Sequence, residues 1–337
     1  MNSPISIWLQ FGLCTALIGY AGLRLTRYGD ALAALTGMSR NWIGLVLMAT
    51  VTSLPELVTG VSSVTIASAP DIAIGDVLGS CVFNLAIVAG IDLSYRKGSL
   101  YAVASGGHVV SAGFGVLALA GVALTILLAP LDVLPTVGHI SIASLFIVAL
   151  YMVAMRTLYI SEQRRGSQVA SISTDGASIS LRQAALGYAM AAIVIVGAGI
   201  WLPQIGVELA RAMGWSHSLV GTLFIAFATS VPELATTWGA VRIGAIDMAL
   251  GNLLGSNLFD VLILAVDDMA YLRGSIFSTV QQLHASSAIA ACMMSGAIVV
   301  ALTYRPVSRI WNTVNWTSLF LLSLYFITVA VQYLQPN

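Results

Sequence analysis

FATSVPELATTWGAVRIGAIDMALGNLLGSNLFD, Phe227–Asp260, places the acids Glu233 and Asp260, a helix-breaking proline and a Gly-Ser-Asn turn inside what otherwise reads as two membrane-spanning helices. An earlier stretch, TVTSLPELVTGVSSVTIASAPDIAIGDVLGSCVFN, Thr50–Asn84, repeats the pattern. Ser53-x-Pro55-Glu56-Leu57 answers Ser230-x-Pro232-Glu233-Leu234, and Gly75-x-x-x-Gly79-Ser80-x-x-Phe83-Asn84 answers Gly251-x-x-x-Gly255-Ser256-x-x-Phe259-Asp260. The offset is 177 residues at the glutamates and 176 at the glycines, so one residue has been lost between the two motifs. The chain is an internal duplication.

Of 337 residues, 58% are hydrophobic and only 8% charged, with a mean hydropathy of +0.93. A soluble domain carries roughly 25% charged residues, so the composition is that of a multi-span membrane protein. The formal net charge of zero says nothing of nucleic acid, and the bilayer is the expected partner instead. Cys14, Cys81 and Cys292 lie in apolar segments and offer neither a disulfide framework nor metal-site spacing. The N-terminus lacks the basic region of a signal peptide, and its apolar run, Ile5 to Leu23, is long enough to span.

A span needs about 20 apolar residues. That rule predicts about ten helices, near 4–24, 41–67, 72–93, 107–129, 136–157, 183–204, 216–241, 247–270, 281–303 and 311–333. The polar stretch 158–182 reads as a flexible cytoplasmic linker between a first five-helix repeat, 1–157, and a second, 183–337. It is too short to hold a folded regulatory domain. Basic residues favour cytoplasmic loops. With the N-terminus outside, twelve of the 14 basic residues fall inside and only Arg211 and Arg273 outside, which predicts both termini outside. Five spans per half then make the halves inverted repeats, an arrangement common in secondary transporters. The expected fold is an all-α integral membrane protein of two inverted-topology repeats, and no enzyme is expected.

A carboxylate deep in a bilayer costs several kcal/mol and usually marks a pathway or a paired site. Of the 14 acids, Asp30, Asp92, Asp132, Glu162, Asp175, Glu208, Asp267 and Asp268 are expected in loops or at span ends, and Asp71 and Asp247 at helix starts. That leaves Glu56, Asp76, Glu233 and Asp260 at depth with no Arg or Lys to pair with. Protons or bound cations must supply the missing charge. Pro55 deprives the Val51 carbonyl of its helical partner, and Pro232 deprives that of Ala228. Freed carbonyls at membrane depth are tolerated where they line a cavity. With hydroxyls from Thr52, Ser53, Thr229 and Ser230, the breaks form an all-oxygen environment suited to hard cations such as Ca2+. Asp76, Ser80 and Asn84 form one helical stripe, and Asn252, Ser256 and Asp260 its counterpart. The paired glycines let helix backbones approach closely. The symmetry predicts that Glu56 and Glu233 meet at one site near the midplane.

At these residues the chain resembles the cation/calcium exchanger superfamily, whose best-known members are the sodium/calcium exchangers. The resemblance lies in Thr52-Ser-Leu-Pro-Glu-Leu57 with Gly75-Asp-Val-Leu-Gly-Ser-Cys-Val-Phe-Asn84, and in Thr229-Ser-Val-Pro-Glu-Leu234 with Gly251-Asn-Leu-Leu-Gly-Ser-Asn-Leu-Phe-Asp260. It implies that Glu56 and Glu233 bind Ca2+ and share sodium sites, that Thr52 and Thr229 offer backbone carbonyls, and that Ser53, Ser80, Ser230, Ser256, Asn84 and Asp260 complete the sites. It further implies sliding of the first and sixth helices against the rest, a plasma-membrane location, and no cofactor beyond the transported ions. The short linker resembles that of prokaryotic-type members. Three departures stand out. Asp76 occupies the position of Asn252, Cys81 that of Asn257, and Val51 and Ala228 replace a usual glycine.

Several alternatives stay open at this point. Asp76 is either a cation ligand or a neutral, hydrogen-bonded contact between helices. The lead reading is a secondary antiporter exchanging Ca2+ for Na+ by alternating access. The alternative is a proton-coupled antiporter of Ca2+ or another divalent cation, and the remote alternative an intramembrane aspartyl protease built on Asp76 and Asp260. His108, His139, His217 and His284 are expected at the interface, Asp71 and Asp247 as charges at helix N-termini, and Trp8, Trp42, Trp201, Trp215, Trp311 and Trp316 mostly as belt anchors.

Overall fold

The structure is a computed structural model and describes residues 3–35, 50–95, 98–165, 180–306, 310 and 314–334. It is mostly helical. In chain order the main helices are α1 (Pro4–Leu35), α2 (Leu54–Thr65), α3 (Pro70–Ser94), α4 (His108–Leu128), α5 (Ile142–Arg165) and α6 (Leu181–Met213). There follow α7 (His217–Thr229), α8 (Val231–Arg242), α9 (Ile246–Ala270), α10 (His284–Tyr304) and α11 (Trp316–Leu334). Among the described residues eight helices are long and apolar enough to cross a membrane, or nine if the bent pair α7–α8 is one span. The expected span near 41–67 falls partly on residues 36–49, outside the described set. Its described part is a helical turn ending at Thr52 and then α2.

Both motif helices are broken at the serine before the proline. Ser53 (φ −86°, ψ 13°) and Ser230 (φ −84°, ψ 6°) have nearly the same non-helical backbone. Pro55 and Pro232 then sit in the first turn of the next helix, where a missing N–H does no harm. The axes of α7 and α8 differ by 46°. The proline thus breaks the helix and restarts it.

Burial sorts the helices into layers. In the apolar windows of α3 and α9, 94% and 78% of residues are buried, against 22–39% for α1, α4, α5, α6 and α11. Helices apolar on every side belong inside, so α3 and α9 form the centre and the others present Leu, Ile and Phe outward to lipid. α1 and α6 pack along each other and lie across the two breaks. Gly22 of α1 rests on Pro232, and Gly199 of α6 on Val58 and Thr59. At the centre, Gly75 of α3 lies against Gly221, and Gly79 against the Thr222 backbone and Ala226. The facing stretch Val220–Ile225 is wound as a π-helix, a distortion frequent at functional sites.

Several expectations need correction. α1 and α6 run on well past 24 and 204, and α5 continues helical to Arg165, into the stretch expected to be a linker. α5 also begins later than 136, after a hairpin of β1 (Thr136–Val137) and β2 (Ile140–Ser141). Asp92, Asp267 and Asp268 lie near span ends yet are fully buried. Asp92 accepts from the Leu100 N–H at 3.0 Å and the Ser318 hydroxyl at 2.8 Å. Asp268 repeats this with the Ile276 N–H at 2.8 Å and the Ser144 hydroxyl. Each carboxylate ties its own following loop to another helix, Asp92 to α11 and Asp268 to α5. Asp71 and Asp247 do occupy first helical turns, but their oxygens reach across the molecule. Asp71 takes the Gln281 N–H (2.8 Å) and His284 Nε2 (3.1 Å), and Asp247 takes the Ser105 N–H (2.7 Å) and His108 Nε2 (3.1 Å). His284 is therefore fully buried rather than interfacial. Trp8 and Trp215 join Phe11 and Phe224 in an aromatic cluster, with Trp215 stacked on Phe224 at 5.0 Å; Trp42 and Trp311 lie outside the described residues.

Candidate cation-binding site

The two helix breaks face each other across α3 and α9, and each half reaches into the other. Ser53 donates to Glu233 Oε1 at 3.3 Å, and Ser230 donates to Glu56 Oε1 at 3.3 Å. Thr229 donates to Asp76 Oδ1 at 2.9 Å, while Thr52 approaches Asn252 Oδ1 at 3.5 Å and the Ser256 hydroxyl at 3.3 Å. Ser230 also meets the Ser80 hydroxyl at 3.0 Å, and Ser256 approaches Glu233 Oε1 at 3.5 Å. Under the 176- and 177-residue offsets the Ser53–Glu233 contact answers Ser230–Glu56, and the Thr229–Asp76 contact answers Thr52–Asn252. The local cause is the break itself, whose non-helical backbone at Ser53 and Ser230 aims both hydroxyls at the opposite half.

All eleven expected site residues are buried, none more than 1% exposed. Thr52, Ser53, Glu56, Asp76, Ser80, Thr229, Ser230, Glu233 and Ser256 join the network just described. Asn84 donates to Asn257 Oδ1 at 3.0 Å, and Asn257 in turn donates to the Cys81 carbonyl at 3.2 Å. Asp260 is buried among them, and neither of its oxygens has a hydrogen-bond partner. Glu56 lies within electrostatic reach of Glu233, Asp260 and Asp76. Asn257 joins the site where sequence reasoning noted only the departure at Cys81. Its position opposite Cys81 under the offset was the available signal.

The oxygens left over are the informative part. Glu56 Oε2, Glu233 Oε2, Asp76 Oδ2, Asn84 Oδ1 and both oxygens of Asp260 are buried without a hydrogen-bond partner. Buried polar atoms are almost always satisfied, and an unpaired buried carboxylate costs several kcal/mol. Among the described residues the ion pairs are His108–Asp247 and His284–Asp71, and neither reaches these four acids. Also among the described residues, no three His, Cys, Asp or Glu side chains converge as a metal-holding group. A cation here would have to draw on hydroxyl, amide and carbonyl oxygens beside the carboxylates, the donor set of a hard ion.

Asp76 and Asn252 show what the departure between the repeats does. The Asn252 amide donates to the Thr236 and Thr237 hydroxyls, both at 3.1 Å. Asp76 accepts from Thr229 and leaves its second oxygen bare. A carboxylate at this position thus adds an unused acceptor where an amide would be satisfied.

Comparison with known proteins bears on what such a site serves. A family model described as sodium/calcium exchanger protein matches residues 6–160 and 183–334. The inner membrane protein YrbG of Escherichia coli is 26% identical over 76% of this chain and 80% of its own length. The sodium/calcium exchanger MaX1 of Methanosarcina acetivorans is 28% identical over 42% of this chain and 37% of its own. Among solved structures, the sodium-calcium exchanger NCX_Mj soaked with Na+ and Sr2+ superposes with a TM-score of 0.61 at 22% identity, covering 97% of this chain and 99% of that one. Native YfkE gives 0.65 at 16% identity, over 98% and 92%. At such identities the structural likeness speaks for the fold alone. The intramembrane aspartyl protease alternative finds no support among these relatives.

Proposed function

The chain belongs to the sodium/calcium exchanger protein family, and from that premise we propose that it is a secondary antiporter exchanging Ca2+ for Na+ at one midplane site. The family is one of transporters rather than enzymes, and the ions are substrates, with no resident cofactor. The observation that carries the reading is the set of buried, unpartnered oxygens on Glu56, Glu233, Asp76, Asp260 and Asn84. They lie between two helix breaks whose serines clasp the opposite glutamate. Ca2+ takes six to eight oxygen ligands, and one divalent or several monovalent ions would neutralise the same acids. Competition for those acids makes the transport an exchange, because an empty site leaves unpaired charges buried and holds the protein from reorienting.

In this reading 1–157 and 183–337 are two five-helix repeats of inverted topology, ten spans in all, joined by a cytoplasmic linker. Both termini lie outside, and the membrane is the plasma membrane. The twelve-to-two bias of basic residues supports that orientation. α1 and α6, which lie across both breaks, are the elements that slide to open the site to either side.

A proton-coupled variant is favoured by one observation, the bare second oxygen of Asp76, which offers a carboxylate for H+ where the other repeat has an amide. Uptake of radiolabelled Ca2+ into proteoliposomes, under outward gradients of Na+, K+ or H+ imposed separately, decides between them. The expected result is uptake driven by Na+ and abolished in Glu56→Gln and Glu233→Gln. Uptake driven by the proton gradient alone transfers the protein to the second reading. No flux under any gradient overturns calcium transport.

A further inference from the structure

One buried acid outside the cation site has neither carboxyl oxygen hydrogen-bonded. Asp267 lies on α9 seven residues beyond Asp260, two helical turns or about 10 Å along the axis. It is fully buried. Its neighbour Asp268 is the opposite case, accepting from the Ile276 and Ser141 N–H groups at 2.8 Å each and from the Ser144 hydroxyl.

Asp267 presses on α2 at a point with no side chain. A Cβ placed on Gly60 would lie 2.5 Å from one Asp267 oxygen and 2.7 Å from the other. Gly60 is one turn past Glu56. The contact runs between the halves, and the duplication gives it no equivalent of the same chemistry. The counterpart of Asp267 is Ile91, buried in the apolar core, and the counterpart of Gly60 is Thr237. Where one of the two equivalent pairs of positions has an apolar side chain and a hydroxyl, the other has a carboxyl and a glycine that leaves room for it.

The charged groups within electrostatic reach of Asp267 are Asp268 beside it and Asp76 of α3. α2 presents Gly60 there, with Glu56 a turn away. α4, α5 and α8, which also pack on α9, bring no charged group within that reach. An ionised carboxylate so placed is unpaired, next to like charges, and costs several kcal/mol. A metal ion would need a shell of further oxygens, and no hydroxyl or amide bonds to this carboxyl. A proton needs no shell.

We propose that Asp267 is a proton-binding site separate from the cation site. It is neutral while Gly60 of α2 packs on it, and it gives its proton to water when that helix contact opens. Closing the contact takes a proton back from water onto the same oxygen. The inference rests on the α2–α9 contact, whichever cation the protein carries.

Infrared difference spectroscopy of the full chain in lipid tests this without any transport assay. Wild type minus Asp267→Asn is expected to contain the carbonyl band of a protonated carboxyl, shifted in deuterated buffer. A difference spectrum containing carboxylate bands and no such carbonyl band overturns the proposal. Gly60→Ala, which crowds the same carboxyl, keeps the test open if the asparagine variant does not insert: the band should move, and an unmoved band overturns the assignment. In a transport assay the fall in rate as pH rises should be smaller in Asp267→Asn than in wild type, and an equal fall in both counts against the assignment. Loss of calcium flux in both proteins would count against the exchange reading and leave the infrared result to stand by itself.

Discussion

Ser53 and Ser230 each hydrogen-bond the glutamate of the opposite half, so neither glutamate is positioned by its own repeat alone. A hydrogen bond to a charged group contributes about 1.5–3 kcal/mol, and about 1.4 kcal/mol is tenfold in affinity. Ser53→Ala and Ser230→Ala should therefore weaken Ca2+ affinity by about tenfold or more each. The two losses should be similar, because the two contacts have the same length. Initial uptake rates against Ca2+ concentration would check this, and a loss in only one variant would deny the site its two-sided construction. Asp76→Asn makes the first repeat match the second at that position. It removes an unpartnered acceptor while keeping a group that can accept from Thr229, so Ca2+ exchange should persist with lower affinity. Abolition of flux as complete as in Glu56→Gln would make Asp76 an essential ligand instead.

At the scale of the helix, close packing at the centre depends on glycines that face backbone. A Cβ on Gly79 would overlap the Thr222 carbonyl, and neither helix can yield without disturbing the π-helical turn at Val220–Ile225. Gly79→Ala should destabilise the protein by about 1–3 kcal/mol, read as a lowered melting temperature in detergent. Gly113→Ala, whose Cβ would meet nothing within 4 Å, is the control and should melt like wild type. Such contacts also mark where the sequence stopped being readable. The spans themselves were legible because an apolar run of sufficient length has few other fates, and the breaks because proline leaves a fixed signature. Helix ends were less so. α1 continues through Arg24 and Arg27, which a hydropathy reading takes as the end of a span, and Arg24 lays its charged head over the Tyr20 ring at 5.2 Å. The eleven candidate site residues were picked out through the duplication, and the structure buries all of them. The same offset carries Asp71 to Asp247 and His108 to His284, so the two His–Asp contacts left a trace that went unread. Asp267 left none, because its counterpart is Ile91 and only packing reveals that the carboxyl is buried.

For the molecule as a whole, the division that matters is between the α1–α6 pair and the helices that carry the site. α1 meets the second break where Gly19 lies on Val231 and Gly22 on Pro232, and α6 meets α2 where Gly199 lies on Val58. Glycine at these seats leaves smooth helix surfaces without interlocking side chains, a contact suited to sliding. If exchange requires that movement, a covalent tie across one seat should stop it. A Cβ on Gly19 would stand 3.7 Å from the Cβ of Val231, within the roughly 3.5–4.5 Å that a disulfide spans. The double variant Gly19→Cys with Val231→Cys should lose Ca2+ flux on oxidation and recover it on reduction, while each single variant is indifferent to redox state. Stabilisation by Ca2+ in a thermal melt should survive oxidation, since the tie lies outside the site and binding to the folded state alone raises stability. Full exchange by the oxidised, cross-linked protein would mean that α1 and the second break travel together, and the moving boundary would then have to lie elsewhere in the fold.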